Sequence, residues 1–174
     1  REAAEFAERA HEGVYRKGTK IPYITHPMET AAIVTAFTNE PEMIAAALLH
    51  DVIEDAGVTK EELEEKFGSR VAFLVESESE DKSRSWMERK GTTVEHLKSA
   101  TRDEKILALA DKLSNIRSTV RDYLVLGDEV WQRFNQKDKE MQGWYYKGVA
   151  EALKEFKGHI YYEEYLMLCK KIFG

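Results

Sequence analysis

The sequence predicts an all-α fold, because apolar residues recur at three- and four-residue spacing along most of its length and no stretch alternates strictly between hairpin turns. With 174 residues and 43% hydrophobic content, the chain has the size and apolar share of one globular domain. One helical bundle spanning residues 1–174 is therefore expected, with no internal repeat or low-complexity linker to divide it.

The first helix carries Phe6, Ala7, Ala10, Val14 and Tyr15 on one side and is expected to end near Gly18, followed by a loop from Thr19 to Thr25. Pro27 suits the first turn of a second helix reaching about Phe37, since its missing N–H has no intrahelical partner there. Pro41 opens a third helix that runs unbroken to Gly57; its apolar segment from Met43 to Leu49 implies burial on most sides. Thr59 with Glu62 forms a capping-box pattern for a short helix closed by Gly68, and another covers about Val71 to Glu76. Ser77 to Thr93 is polar and mixed in charge, which predicts a partly mobile loop. Ile106, Leu107, Leu109, Ala110, Leu113, Ile116 and Val120 mark one long helix from about Asp103 to Leu126. Helices around Val130–Phe134, Lys139–Phe156 and Ile160–Ile172 complete the chain.

A formal net charge of −6 argues against a general nucleic-acid binder, so any phosphate site must be local. No apolar stretch reaches the roughly twenty residues that cross a bilayer. A lone cysteine, Cys169, excludes an internal disulfide and points to a reducing compartment, the cytoplasm. Trp86 and Trp131, if exposed, mark a surface for homo-oligomer formation.

Three positions combine metal-binding groups with apolar surroundings. His50 and Asp51 directly follow Ala45-Ala46-Ala47-Leu48-Leu49, where a histidine and a carboxylate need partners; a divalent ion satisfies both, as does a simple pairing that fixes the His50 tautomer. His26 stands at a helix entrance, a poor place for an imidazolium, and reads either as a neutral ligand or as a hydrogen-bonded loop histidine. Asp111 lies within ILALADKLSNI, where it requires a cation, either a metal or Lys105 or Lys112. Two histidines and two aspartates make a mixed nitrogen and oxygen set for Mn²⁺, Fe²⁺, Zn²⁺ or Mg²⁺, with Mn²⁺ the first choice. Glu54 and Asp55 lie one turn beyond His50 and Asp51, placed for proton transfer to and from water and a leaving oxygen. On the continuous helix they sit near its negative end, where bare carboxylates are destabilising.

Five segments carry a resemblance: YITHP, ALLHDVIEDAGVT, FGSRVAFLVE, a loop ending ERK, and LALADKLSNIR. Together they resemble the HD hydrolase domain of RelA/SpoT proteins, most closely the stand-alone small alarmone hydrolases, over about Ala3 to Arg121. The resemblance implies a single HD-type domain in which His26, His50, Asp51 and Asp111 hold Mn²⁺ and Glu54 and Asp55 form the catalytic acidic pair. It also implies nucleotide contacts from Arg16, Lys17, Asn115, the basic residues Lys82, Arg89 and Lys90, and Tyr145 or Tyr146. The activity it implies is removal of the 3′-pyrophosphate from guanosine tetra- and pentaphosphate. Other nucleotide substrates (an adenosine alarmone, NADPH or a nucleoside monophosphate) and a non-catalytic alarmone-binding module are the rival readings. Two departures stand out: Ala56 replaces the usual threonine, and VESESEDKS brings extra acids at Glu78 and Glu80. No synthetase, TGS or ACT segment is present, so degradation alone is expected.

Overall fold

The computed structural model describes all residues from Arg1 to Gly174. Ten α-helices follow one another: α1 (Glu2–Ala10), α2 (Thr25–Val34), α3 (Pro41–Leu49), α4 (Val52–Ala56), α5 (Lys60–Phe67), α6 (Ser69–Glu78), α7 (Trp86–Ser99), α8 (Arg102–Leu126), α9 (Lys139–Ala152) and α10 (Ile160–Phe173). Short 3₁₀ turns cover Gly127–Arg133 and Lys154–Phe156. There is no sheet, and the one β contact is an isolated antiparallel bridge between Tyr15 and Pro22. The predicted all-α class is correct.

The helices gather into two compact units, one of Arg1–Glu80 with Thr101–Asp111 and one of Asp81–Ala100 with Lys112–Gly174. In the first unit α3 is central: α1, α2 and α6 all pack on it, and α5 packs on α6. Met43, Ala46, Ala47 and Leu49 are buried on α3, and Leu107, Leu109 and Ala110 are buried on the early turns of α8. Arg70 at the start of α6 reaches Glu40, Glu42 and Asp103 at 2.6, 3.0 and 2.7 Å, clasping the entrances of α3 and α8. In the second unit α9 packs on α7 and α10. A Cβ on Gly148 would meet the methyls of Val94 at 3.2 and 3.3 Å, so the absence of a side chain lets α9 approach α7 closely. Cys169 is buried there, and burial pushes its thiol up to about 12, leaving it inert as a nucleophile at neutral pH.

Several boundaries differ from expectation for local reasons. The first helix stops at Ala10, not near Gly18, because Gly13 and Gly18 adopt positive φ and fold the following residues into a small hairpin. Arg16 N–H bonds Ile21 O and Tyr23 N–H bonds Val14 O, leaving Val14 and Tyr15 exposed and not on a helical core face. The expected helix from Pro41 to Gly57 breaks after Leu49: the His50 ring hydrogen-bonds the Ala47 carbonyl, the acceptor that the next helical turn needs, and α4 starts afresh at Val52. The expected loop from Ser77 to Thr93 shrinks to residues 79–85, because Ser85 and Glu88 form a capping box that starts α7. Trp131 is no surface residue; it is 3% exposed and packs among Tyr123, Phe134 and Phe173.

A further capping box begins α8, where Thr101 Oγ1 accepts from Glu104 N–H and the Glu104 carboxylate accepts from Thr101 N–H and Oγ1–H. Thr101→Ala removes that acceptor and should cost about 1 kcal/mol. A fall in melting temperature of roughly 2–4 °C by circular dichroism is the expected reading; no change would remove the cap from the forces that start α8.

Candidate metal centre

The break between α3 and α4 decides the geometry of the site. It leaves His50 as the C-cap of α3 and Asp51 as the N-cap of α4, both still with right-handed helical dihedrals, so the two side chains occupy adjacent positions between the helices. His26 comes from the first turn of α2 and Asp111 from the third turn of α8. All four residues belong to the first unit.

Their polar atoms converge. His50 Nε2 lies 3.1 Å from His26 Nε2 and 3.1 Å from Asp51 Oδ2. Asp111 Oδ1 lies 3.0 Å from His26 Nε2 and 3.5 Å from His50 Nε2, while Asp51 Oδ2 is 3.5 Å from His26 Nε2. His26, His50 and Asp51 meet the spacing of a metal-binding group, with one ligand atom from each inside 4.8 Å of the others. Asp111 joins them through a carboxylate oxygen that faces the two imidazoles.

The donor chemistry fits a divalent cation. His50 Nδ1 is 2.8 Å from the Ala47 carbonyl, so Nδ1 carries a proton and Nε2 is the ring nitrogen that can present a lone pair to an ion. Two imidazole nitrogens and two carboxylate oxygens then face one another in a buried space, an arrangement that repels itself unless positive charge lies among them. The electrostatics agree. Burial holds His26 below its ordinary pKa; burial acts the same way on His50 but is outweighed by Asp51 and Asp111, which raise it. Burial alone would raise the Asp51 carboxyl, yet the charge and hydrogen bond of His50 hold it well below the usual range. The field at His50 Nε2 thus favours a cation, and a divalent ion among His26, His50 and Asp51 satisfies the same atoms as a proton.

Glu54 and Asp55 stand in the first turn of α4. That helix is a single turn closed by Gly57, so the two carboxylates also stand close to its C-terminal end, as expected. Asp55 N–H bonds Asp51 O, preserving the one-turn offset between those carboxylates. Glu54 Oε2 accepts from Glu80 N–H at 3.4 Å.

Two contributors escaped the sequence reading. Tyr23 Oη donates to Asp51 Oδ2 at 2.6 Å and lies 3.4 Å from Asp55 Oδ2. Burial, then Asp51, push its phenol far above the ordinary value, so it remains a donor. His11 is buried with its ring 4.8 Å from that of Tyr23, and its Nε2 has no hydrogen-bond partner. The available signal for Tyr23 was its place in YITHP, one helical turn before His26.

The expected nucleotide contacts divide between the units. Arg16 sets its guanidinium 5.5 Å from the Tyr23 ring centroid, and Lys17 is exposed on the same hairpin. In the second unit Lys90 lies over the Tyr145 ring at 4.9 Å, Tyr145 also meets Trp86 edge-on, and Arg89 neighbours Lys90 on α7. Lys82 is exposed in the segment before α7, and Asn115 is half-buried on α8. Tyr146 stacks on Phe173 at 5.6 Å and flanks Tyr165, which makes it a packing residue.

The HD domain family model matches residues 3–137. Proteins described as guanosine-3′,5′-bis(diphosphate) 3′-pyrophosphohydrolase MESH1 from Xenopus tropicalis and from Homo sapiens are each 36% identical to it over 160 residues, covering 90% of this chain and 84% of theirs. Among solved structures, a metazoan ortholog of SpoT, described as hydrolysing ppGpp and acting in starvation responses, superposes with a TM-score of 0.81 at 27% identity, covering 98% of this chain and 93% of that one. The crystal structure of lmo0812 from Listeria monocytogenes superposes with a TM-score of 0.78 at 33% identity, covering 90% and 100% respectively. Matched along most of its length in sequence and in backbone course, the chain belongs to the HD-domain family and is closely related to the MESH1- and SpoT-type ppGpp hydrolases.

Proposed function

We propose that this protein is a hydrolase that removes the 3′-pyrophosphate of guanosine tetra- and pentaphosphate, releasing GDP or GTP and pyrophosphate. One Mn²⁺ ion, held by His26, His50, Asp51 and Asp111, serves the reaction. The observation that carries the reading is the convergence of two imidazole nitrogens and two carboxylate oxygens at 3.0–3.5 Å in a buried space. The activity named for the MESH1 relatives of Xenopus tropicalis and Homo sapiens supports the choice of substrate. Mn²⁺ suits imidazole together with carboxylate and leaves coordination sites open.

An ion bound there supplies Lewis-acid stabilisation of phosphoryl charge and makes water a usable nucleophile near neutral pH. The protein's own groups do the remaining work. Glu54 and Asp55, one turn beyond the ligands, take a proton from the attacking water and return one to the departing ribose 3′-oxygen. Arg16 and Lys17 offset the charge of the nucleotide's phosphates, with Lys82, Arg89 and Lys90 assigned to the same task and Asn115 and Tyr145 to the nucleoside. Local cations of this kind are needed because the whole chain carries a net charge of −6, which repels a free nucleotide and disfavours nucleic acid more strongly. Residues 1–174 act in this reading as one hydrolase domain, a view supported by a family match that runs across both compact units. No helix is long and apolar enough to cross a membrane, and with Cys169 as the only cysteine we place the enzyme in the cytoplasm, free to self-associate.

The direct test incubates purified protein and Mn²⁺ with guanosine tetraphosphate, its adenosine counterpart and NADPH at equal concentration, with products resolved by ion-exchange chromatography. GDP and pyrophosphate from the guanosine substrate, at a rate above the others, is the expected result; a folded protein releasing no pyrophosphate rejects the assignment. Glu54→Gln with Asp55→Asn should lower kcat by about 10²–10⁴-fold, the usual contribution of positioned proton transfer. Unchanged turnover would take that pair out of the mechanism.

Metal binding has its own readout. Mn²⁺ at about 100 times its dissociation constant should stabilise the fold by roughly 2.7 kcal/mol. That corresponds to a rise of about 5–10 °C in melting temperature. The shift should disappear with EDTA and in His50→Ala, and should persist in the Glu54→Gln, Asp55→Asn double variant.

A further inference from the structure

We propose that Tyr23, seated by His11, is a positioning residue for Asp51: it fixes the carboxylate oxygen that faces the two imidazoles. The inference rests on the proposed role of Asp51 as an ion ligand and adds to it two residues that the sequence reading left out.

The first observation is which oxygen Tyr23 selects. Asp51 Oδ2, the acceptor of the 2.6 Å phenolic hydrogen bond, is the same atom that lies 3.1 Å from His50 Nε2 and 3.5 Å from His26 Nε2. A hydroxyl serving only the fold could find a backbone carbonyl. This one is spent on the functional end of a ligand, and its length is that of a strong charge-assisted bond. The carboxylate of Asp51 can pivot about its last torsion, and a fixed donor on one oxygen removes that freedom before an ion arrives.

The second observation is how firmly the donor is held. Tyr23 leaves the hairpin that Gly13 and Gly18 create, with its N–H bonded to Val14 O at 2.8 Å. His11 lies against one side of its ring at 4.8 Å, His26 meets it edge-on at 5.8 Å, and the Arg16 guanidinium lies 5.5 Å from its centroid. His11 is 4% exposed, and its Nε2 is buried without a partner. A buried nitrogen left unpaired is unfavourable, so hydrogen bonding through that atom does not account for the residue. Its contact with the Tyr23 ring does. The same phenolic oxygen lies 3.4 Å from Asp55 Oδ2, but its single proton is given to Asp51 at 2.6 Å, so Asp51 is the carboxylate that it holds.

The test measures Mn²⁺ affinity directly, from the electron paramagnetic resonance signal of free Mn²⁺, for the wild type, Tyr23→Phe, His11→Ala and the double variant. Circular dichroism confirms folding at the assay temperature. Tyr23→Phe should weaken Mn²⁺ binding by about 10–100-fold, the usual loss when a ligand's supporting hydrogen bond is removed. Hydrolysis should return as Mn²⁺ approaches saturation. His11→Ala should weaken binding in the same direction in the wild-type background and add nothing in the Y23F background, since its effect passes through the hydroxyl. Folded Y23F with wild-type Mn²⁺ affinity overturns the proposal, and additive losses in the double variant overturn the link through His11. If Y23F does not fold, the affinity of His11→Ala decides, and no change counts against the proposal. A wild type that binds no Mn²⁺ refutes the ion site itself, an outcome distinct from all of these.

Discussion

The organising constraint of this molecule is electrostatic: four acceptor atoms from distant points in the chain are pressed together where water cannot separate them. Two imidazole nitrogens 3.1 Å apart, each with two carboxylate oxygens at 3.0–3.5 Å, are unfavourable without positive charge among them. The first unit supplies the force that holds them there. Its core of Leu, Val, Met and Ala side chains lies on α3, α6 and the start of α8, and His26, His50 and Asp111 are buried with it. Packing enforces the shape of a cluster suited to a divalent cation.

The helix break at His50 and Asp51 shows how local and global terms meet. Intrinsic propensity favours continuing the helix through Ala45–Leu49 and on to Ala56, and the sequence reading followed it. The His50 ring instead claims the Ala47 carbonyl at 2.8 Å. One hydrogen bond therefore does two things: it interrupts the helix, and it fixes the tautomer that leaves Nε2 bare. Both residues keep right-handed helical dihedrals at the break, and their ligand atoms converge to 3.1 Å.

Legibility followed the range of the physical cause. Burial and helical periodicity are additive along the sequence, so the all-α class and the long helix α8 could be read from pattern alone, and so could the need of His50, Asp51 and Asp111 for buried partners. Capping is local but easily hidden by charge: the Ser85–Glu88 box that starts α7 lies inside a polar run that reads as loop. Gly13 and Gly18 presented the opposite difficulty, since each is tolerated near a helix end and only the tertiary packing of the hairpin makes both adopt positive φ. Tyr23 and His11 were illegible for a different reason. Their roles depend on contacts to Asp51 and to each other, and an aromatic residue beside a motif has no periodicity that separates a hydrogen-bond donor from core.

The extra acids of VESESEDKS raise the question of how a segment so altered in side chains can lie beside the proposed catalytic pair. The contact between them is made by the backbone: Glu80 N–H points at Glu54 Oε2 at 3.4 Å, immediately after α6 ends at Glu78. A main-chain donor is indifferent to the residue that carries it, proline excepted, so this segment can change its charge while still orienting Glu54. At that distance the bond is weak, and it directs the carboxylate without neutralising it.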